Sequence, residues 1–412
     1  MQLPQRAVDR ARLQSTLPVS GGGLGLGSAQ LDSKPAYYGS WKLIATTLAS
    51  FPCLADLIVS AFPETEPTGT PGPEDPTPPS LPPCITAALD ARSFLNAHRP
   101  DDNQLPVISL DPSSNNRRNF QKKASVQVYR QLRQSLDDDA TPIERTRLVS
   151  CSTYGSGHFL NAFPRGNFIR TFFDIPDDAF LANIQERLGL NVLGANPPFS
   201  CKLCHRRFEH GTAHAHICPK LPKGECGSLR RGLGHGAGIR HKRLQNEFVR
   251  MLNSLGLSWD ADENGANPRV FLPSGNKVDV IISGLGEGGR PLALDFRVCY
   301  PLQNNAVRGT FDAQEREKNE KYKMECDDAG WDFEPFVVDT FGGFGPAARS
   351  VFQRMVKHAA QIYDRHHWRH SWSASSFSTH WLQRISLVIA RANYEMHRAV
   401  IPSTPNLESE LV

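Results

Sequence analysis

KVDVIISGLGEGGRPLALDFRVCY, residues 277–300, carries two strand patterns joined by a glycine-rich turn. In Pro291–Tyr300, Leu292, Leu294, Phe296 and Val298 alternate, so they share one face of a strand. Ala293, Asp295 and Arg297 share the other. In Lys277–Ile282 the same alternation sets Val278, Val280 and Ile282 inside and Asp279 opposite. The connection Ser283–Arg290 can join the two strands as neighbours, which brings Asp279 and Asp295 toward one end of a sheet. Upstream, Arg240–Gly256 places Leu244, Phe248, Met251, Leu252 and Leu255 on one helical stripe, with Gly256 as its stop. A short strand is expected at Arg269–Leu272, a charged helix at Phe311–Cys326 and a closing strand around Phe336–Val338. The order is helix, three strands, helix, strand.

Two carboxylates brought close repel each other, and a cation between them relieves the repulsion. Oxygen ligands of this kind suit Mg²⁺ or Mn²⁺, with Asp279 and Asp295 as the magnesium ligands. Lys318 and Lys321 lie one helical turn apart, with Tyr322 a turn beyond Lys318, and either amine can orient an attacking water. Arg297 is the other candidate cation, able to clamp a phosphate but unable to act as a base. The plain alternative is a pair of solvated strand-end carboxylates beside a wet helix face.

The remainder of the 412 residues is long enough for further cores. Residues 1–62 read as a helical segment with a structural turn at Gly21–Gly27, where no Lys-Ser/Thr follows to make a phosphate loop. Residues 63–83 are a proline-rich, acidic linker, and 84–195 a helical connector with helices at Gln121–Leu136 and Ala179–Leu188. Cys151 has no acid partner in view and reads as a small buried residue. The start of the chain is polar with no apolar run behind it, and Cys53–Phe62 is too short to span a bilayer, so a soluble intracellular protein with no membrane partner is expected. Nine scattered cysteines fit a reducing compartment with a metal site.

Cys201–Cys218 (CKLCHRRFEHGTAHAHIC), within a segment 196–230, is the sharpest local motif. Cys201-x2-Cys204 offers two thiolates from one turn, and His214 with Cys218 completes a tetrahedral set for structural Zn²⁺. His205, His210 or His216 can substitute for His214, and Cys226 can displace the histidine. From Cys201 to Arg250 there are eleven Lys/Arg against three Glu, while the whole chain is only +4. That concentration implies a phosphate-backbone partner, with Arg206, Arg207, Arg230, Arg231, Arg240, His241, Lys242 and Arg243 as candidate contacts. Residues 346–400 read as two C-terminal helices, Ala347–Tyr363 and Ser378–Arg398, and 401–412 as a tail. His366–Ser376 between them is aromatic and basic, suited to nucleic acid or packing more than to a metal.

The core order over residues 235–345 is that of the PD-(D/E)XK nucleases. Taken together, the chain resembles the C-terminal part of non-LTR retrotransposon polyproteins, which carry a restriction-like endonuclease behind their reverse transcriptase. Leu17–Leu26 is similar to the segment after the polymerase region, and Arg147–Ser152 and His158–Pro164 to the connecting segment. Cys201, Cys204, His214 and Cys218 match the family's CCHC knuckle. Asp279 and Asp295 match its two acidic positions, and Lys318, Lys321 and Tyr322 its Lys-x2-Lys-Tyr helix. Two positions depart from the pattern: Val278 stands where the family has proline, and Arg297 where the wider superfamily has lysine, so the amine must come from the downstream helix. No aromatic-x-Asp-Asp polymerase signature is present. The resemblance implies an α+β chain with a mainly helical N-terminal half, a zinc knuckle and an αβββαβ core. It implies a nuclear, metal-dependent DNA endonuclease whose partners are target DNA, with RNA as a further partner, and a reverse transcriptase encoded elsewhere. A non-catalytic nucleic-acid-binding remnant is the competing expectation.

Overall fold

The computed structural model describes residues 5–48, 51, 56, 82–97, 120–162, 173–194, 199–208, 214–218, 235–261, 267–302, 310–363 and 374–402. The chain is α+β. It divides into two units, one formed by 1–15, 19–24 and 140–412 and the other by 16–18 and 25–139. After α1 (Gln5–Thr16), helices α2 (Ala29–Leu48), α3 (Pro83–Ala97) and α4 (Phe120–Asp138) make the second unit. Tyr38, Ile85, Ala88, Leu95 and Val128 form its core. The division falls inside the 84–195 stretch expected as one connector, because the apolar faces of α3 and α4 are used up on α2. Later residues of that stretch, such as Phe159 and Phe173, join Leu387 instead. The linker 63–83 lies almost wholly outside the described residues.

In the larger unit α5 (Pro142–Ser152) starts where a helix should: Thr141 and Glu144 form a reciprocal capping box, with Pro142 at the first turn. Next comes α6 (Asp177–Leu188). A two-stranded ribbon follows, β1 (Phe199–Ser200) antiparallel to β2 (Arg207–Phe208), and then the four-residue α7 (His214–Ile217). Helix α8 (His235–Ser254) leads into a sheet of β3 (Trp259–Ala261), β4 (Val280–Ile282), β5 (Leu292–Cys299) and β6 (Asp332–Asp339). The strands lie in sequence order; β3–β4 and β4–β5 are antiparallel, and β5–β6 is parallel. A parallel pair needs a crossover, which α9 (Phe311–Asp328) supplies. Helices α10 (Pro346–Ile362) and α11 (Phe377–Val400) complete the unit.

The first strand is not at Arg269–Leu272. Pro268 has no N–H to give a ladder, and Pro268–Val270 is a single 3₁₀ turn with Asn267 capping the Arg269 N–H at 3.1 Å. Trp259–Ala261 takes the place, paired with Val280–Ile282. Val280, Ile282, Leu292, Leu294, Phe296 and Val298 pack with Phe248, Phe352, Trp381 and Ile385 of α8, α10 and α11. Val278 was expected on this face but lies on the other, with Ile281, Ala293 and Phe333 under Tyr322 and Cys326 of α9. Both faces of the sheet are therefore covered, which explains why β5 is buried almost end to end.

β6 is an edge strand. Its Asp332 N–H donates inward to Pro291 O at 2.9 Å, so alternation turns the N–H groups of 333, 335, 337 and 339 outward. Position 335 is Pro335, which lacks one. The segment Asp339–Gly345 folds back along the same edge, with Asp339 N–H donating to Gly343 O at 2.8 Å and Gly345 N–H to Val337 O at 2.9 Å. Gly342 sits at φ 82°, a left-handed position that the turn needs.

Asp339 is buried, and its Oδ1 accepts from the N–H groups of Phe341 and Gly343. Its Oδ2 has no hydrogen-bond donor, and burial pushes the carboxyl up to about 7 from 3.8 despite those two bonds. The folded value lies above the unfolded one. The associated stability is therefore full below about pH 4 and is lost as the pH rises to about 7. Asp339→Asn keeps an acceptor for both N–H groups and is expected to remove this loss. Relative to wild type it should gain on the order of 2–4 kcal/mol between pH 4 and pH 8, read by urea unfolding; a pH-independent difference would refute this. Among the described residues no helix is long and apolar enough to cross a membrane.

Candidate active site and metal centre

Asp279 stands at the entrance to β4 and Asp295 at the middle of β5, held by the Asp279 N–H donating to Leu294 O at 2.9 Å. The Phe296 N–H donates to Asp279 Oδ2 at 2.7 Å. Lys318, reaching across from α9, is ion-paired with Asp295 Oδ2; the carboxylate is buried and the lysine half-buried. Burial, and after it the Asp279 charge, raises the Asp295 carboxyl, with Lys318 pulling the other way. Burial works to raise Asp279 as well, but His241 and the Phe296 N–H outweigh it and hold that carboxyl below its ordinary value. The two carboxylates and the amine therefore share one electrostatic site, with ionisation divided unequally between the acids. Asp295 is only 4% exposed, which is not the setting of a solvated strand end.

Of the other expected groups, Tyr322 is buried beside Asp295, and burial and the Asp295 charge raise its hydroxyl far above the usual range. Lys321 turns to that hydroxyl, donating at 2.7 Å, and does not pair with either aspartate. Arg297 lies on the Asp295 face of β5, half-exposed, where it meets Glu317 at 3.1 Å. The cation expected beside the carboxylates is thus Lys318.

His241 joins this site. It was expected on a nucleic-acid surface, yet its Nε2 lies 3.1 Å from Asp279 Oδ1 and its Nδ1 lies 3.1 Å from Phe296 O. A carbonyl only accepts, so Nδ1 carries a hydrogen. Burial would lower the imidazole, but the Asp279 carboxylate wins and raises it. Arg240 is a correction too. It is 2% exposed, and Nη1 donates to His216 Nδ1 at 2.8 Å and to Asn393 Oδ1 at 3.4 Å, so it faces the interior. A count of positive charge cannot tell an inward arginine from an outward one. Lys242 donates to Gln245 at 3.1 Å, and Arg243 pairs with Glu395 at 2.7 Å on the surface. Arg206 and Arg207 are exposed; Arg230 and Arg231 lie outside the described residues, as does the His366–His370 cluster.

Cys201, Cys204, His214 and Cys218 converge, their ligand atoms all within 4.8 Å of one another. Leu203 and Cys204 N–H groups donate to Cys201 Sγ at 3.3 and 3.4 Å, the bonds a tight Cys-x2-Cys turn makes to a thiolate. Cys201 Sγ and Cys218 Sγ are 3.8 Å apart. That matches the edge of a tetrahedron with metal–sulfur bonds of about 2.3 Å. Cys204 Sγ lies 3.2 Å from His214 Nε2, and the His214 ring stacks on Phe208 at 3.9 Å. His214 is thus the histidine of the set; His205 is exposed, and His210 and Cys226 lie outside the described residues. The donor set fits structural zinc. One zinc per chain by elemental analysis is expected, falling to none in Cys204→Ser; a metal-free native protein would refute it.

A second convergence had no signal in spacing: Glu186 of α6, His216 of α7 and His397 of α11, all buried. His216 Nε2 meets Glu186 Oε1, and His397 Nε2 lies 3.3 Å from Glu186 Oε2. Burial alone would raise Glu186, but the two histidines hold it well below the carboxylate range. Because Arg240 donates to His216 Nδ1, the ring's hydrogen sits on Nε2 and points at Glu186. With Nδ1 accepting from Arg240 and Nε2 carrying its hydrogen toward Glu186, the His216 ring offers no lone pair to a metal, and the trio with Arg240 reads as a hydrogen-bonded network. Cys151 is buried, its thiol pushed up to about 11 by burial, which leaves it no nucleophilic role. No protein-family model matches the sequence, and no curated protein does.

Proposed function

We propose that this chain is a metal-dependent DNA endonuclease of the restriction-like PD-(D/E)XK kind, of retrotransposon origin, that hydrolyses phosphodiester bonds. The observation that carries the reading is the meeting of Asp279, Asp295 and Lys318 on a four-stranded sheet with one parallel pair. A helix precedes the sheet, and another crosses between β5 and β6. Asp279 and Asp295 would hold Mg²⁺ or Mn²⁺. When bound, that ion supplies charge stabilisation to the phosphate and acidifies a water. Lys318 holds its amine against Asp295, where it can donate to a water lined up for in-line attack. Tyr322 packs the amine's approach with its ring, 5.6 Å from Lys318 Nζ. Arg297 can exchange its Glu317 partner for a phosphate oxygen, a bidentate clamp of the kind guanidinium favours. The exposed Lys202, Arg206 and Arg207 of the zinc knuckle offer backbone contacts to DNA. Nuclear action at a target site, with RNA and a separately encoded reverse transcriptase as further partners, belongs to the same reading.

The test is relaxation of supercoiled plasmid. Nicking should appear with Mg²⁺ or Mn²⁺ and vanish in excess chelator. One observation favours the second reading, a non-catalytic nucleic-acid-binding remnant. Both carboxylates already have protein cations, Lys318 on Asp295 and His241 on Asp279. Salt-sensitive DNA binding with no nicking under any divalent ion would select it.

A further inference from the structure

We propose that zinc in the knuckle sets the position of the Asp279–Asp295 site through two consecutive residues of α8, Arg240 and His241. The inference rests on the metal-binding reading of those carboxylates and goes beyond it by coupling two sites. Helix α7 is a single turn bounded by two knuckle ligands, His214 and Cys218, so His216 between them is located by the same ion. His216 makes the seat of Arg240: its Nδ1 accepts from Nη1 at 2.8 Å and its carbonyl from Nη2 at 3.4 Å. Its ring is fixed from below by stacking on Tyr300 at 4.3 Å, just past the end of β5. The knuckle is tied down further by the Lys202 N–H donating to Val400 O at 3.0 Å and by apolar packing on Met396 and Val400. Arg240 is therefore held through His216 by a module that depends on a metal, with Asn393 Oδ1 at 3.4 Å as its contact outside that module.

The next residue serves the other site. His241 bridges Phe296 O and Asp279 Oδ1, while the Phe296 N–H holds the other Asp279 oxygen. Consecutive helical residues share one rigid backbone and are separated by a rise of about 1.5 Å, so α8 cannot move Arg240 and leave His241 in place. Without zinc, three unneutralised sulfur ligands lose their reason to converge, and the short helix carrying His216 loses the anchors on either side of it, leaving the ring held only by Glu186 and Tyr300. A buried guanidinium left with only the long Asn393 contact is undercompensated and is drawn toward water, which pulls the first turns of α8 outward and His241 away from Asp279. The coupling is reciprocal: a divalent ion between the aspartates favours the zinc-loaded knuckle, by a factor that for coupled sites is typically about 5- to 150-fold.

The experiment uses the full chain in zinc-loaded and chelator-stripped, desalted forms, with Mn²⁺ alone as the probe of the carboxylates. Mn²⁺ affinity, read from the free-ion spin-resonance signal, should fall at least about 10-fold on stripping. Arg240→Met should show the same fall while keeping one zinc per chain, and hydrogen exchange across β4 and β5 at wild-type rates outside Phe296 will establish that the sheet is folded. In both cases the Phe296 amide, bonded to Asp279, should exchange at least about 10-fold faster. Unchanged Phe296 exchange in stripped protein and in Arg240→Met overturns the coupling, whatever Mn²⁺ does. Wild-type Mn²⁺ affinity in either of them, with Asp295→Ala weakened, also overturns it and leaves the carboxylate site standing. If Asp295→Ala binds Mn²⁺ as wild type does, the carboxylate reading itself fails, and accelerated Phe296 exchange alone then upholds the link from knuckle to sheet.

Discussion

Asp295→Ala is expected to lower divalent-dependent plasmid nicking by about 10³-fold or more, the scale of losing a group that holds charge where it develops. Two losses coincide at this position. The metal would keep only Asp279, which His241 already engages, and Lys318 would lose the carboxylate that aims it. The fold should survive, because Ala293, two residues earlier on the same strand face, is fully buried without difficulty. Alanine also removes a buried carboxyl that burial has made costly to ionise. A cooperative unfolding transition together with lost nicking is the result that supports the site. Nicking equal to wild type in the variant would remove Asp295 from the chemistry. Lys318→Met should act in the same direction without weakening Mn²⁺ binding, since methionine keeps the stem and discards the amine. The ratio of the two effects separates holding the ion from orienting the water.

Glu186→Ala should destabilise the larger unit by about 3–5 kcal/mol, the cost of stripping one partner from a buried ionic network. Glu186 is the common acceptor for His216 and His397, and its charge is the largest influence opposing the strain that burial places on Arg240. Urea unfolding followed by tryptophan fluorescence reads the loss, and a change below about 1 kcal/mol would mean that the network is already hydrated. Glu186→Gln should cost less, because the amide oxygen can still accept from His216.

What could be read from the residues divides along physical lines. The alternation in β5 was visible because a strand covered on one face by four large apolar side chains leaves a period of two. With it came Asp295 and the neighbouring Asp279. Helix α9 was visible by its charge, and Lys318 was one of two candidates because residues three apart point to the same side. Strand β3 was not visible: three residues, Trp259–Ala261, are too few to show a period, and the apolar run at Arg269–Leu272 looked more like a strand. Covering of the second face was missed because Val278, Ala293 and Cys326 are small or isolated in sequence. The cysteine spacing disclosed the Cys201, Cys204, His214 and Cys218 cluster almost completely, since a tetrahedral donor set demands short loops. The Glu186 network left no trace, because its members come from four helices and meet only after folding. Arg240 and His241 were legible as charge but not as direction. Charge alone points both toward a phosphate backbone, whereas both turn inward.

On the proposed reading, the outer margin of β6 limits how this protein would cut both strands of a duplex. Pro335 withholds a donor at the centre of that margin, and the returning turn occupies Val337 O and Asp339 N–H. A second molecule therefore finds no continuous ladder there on which to extend the sheet, and pairing of two copies across this border is closed off. On that reading a lone chain working through Asp279 and Asp295 would sever one backbone per encounter. A staggered double break then requires either two successive visits or an assembly held together by some other part of the molecule, and such breaks should scale with the square of protein concentration at early times.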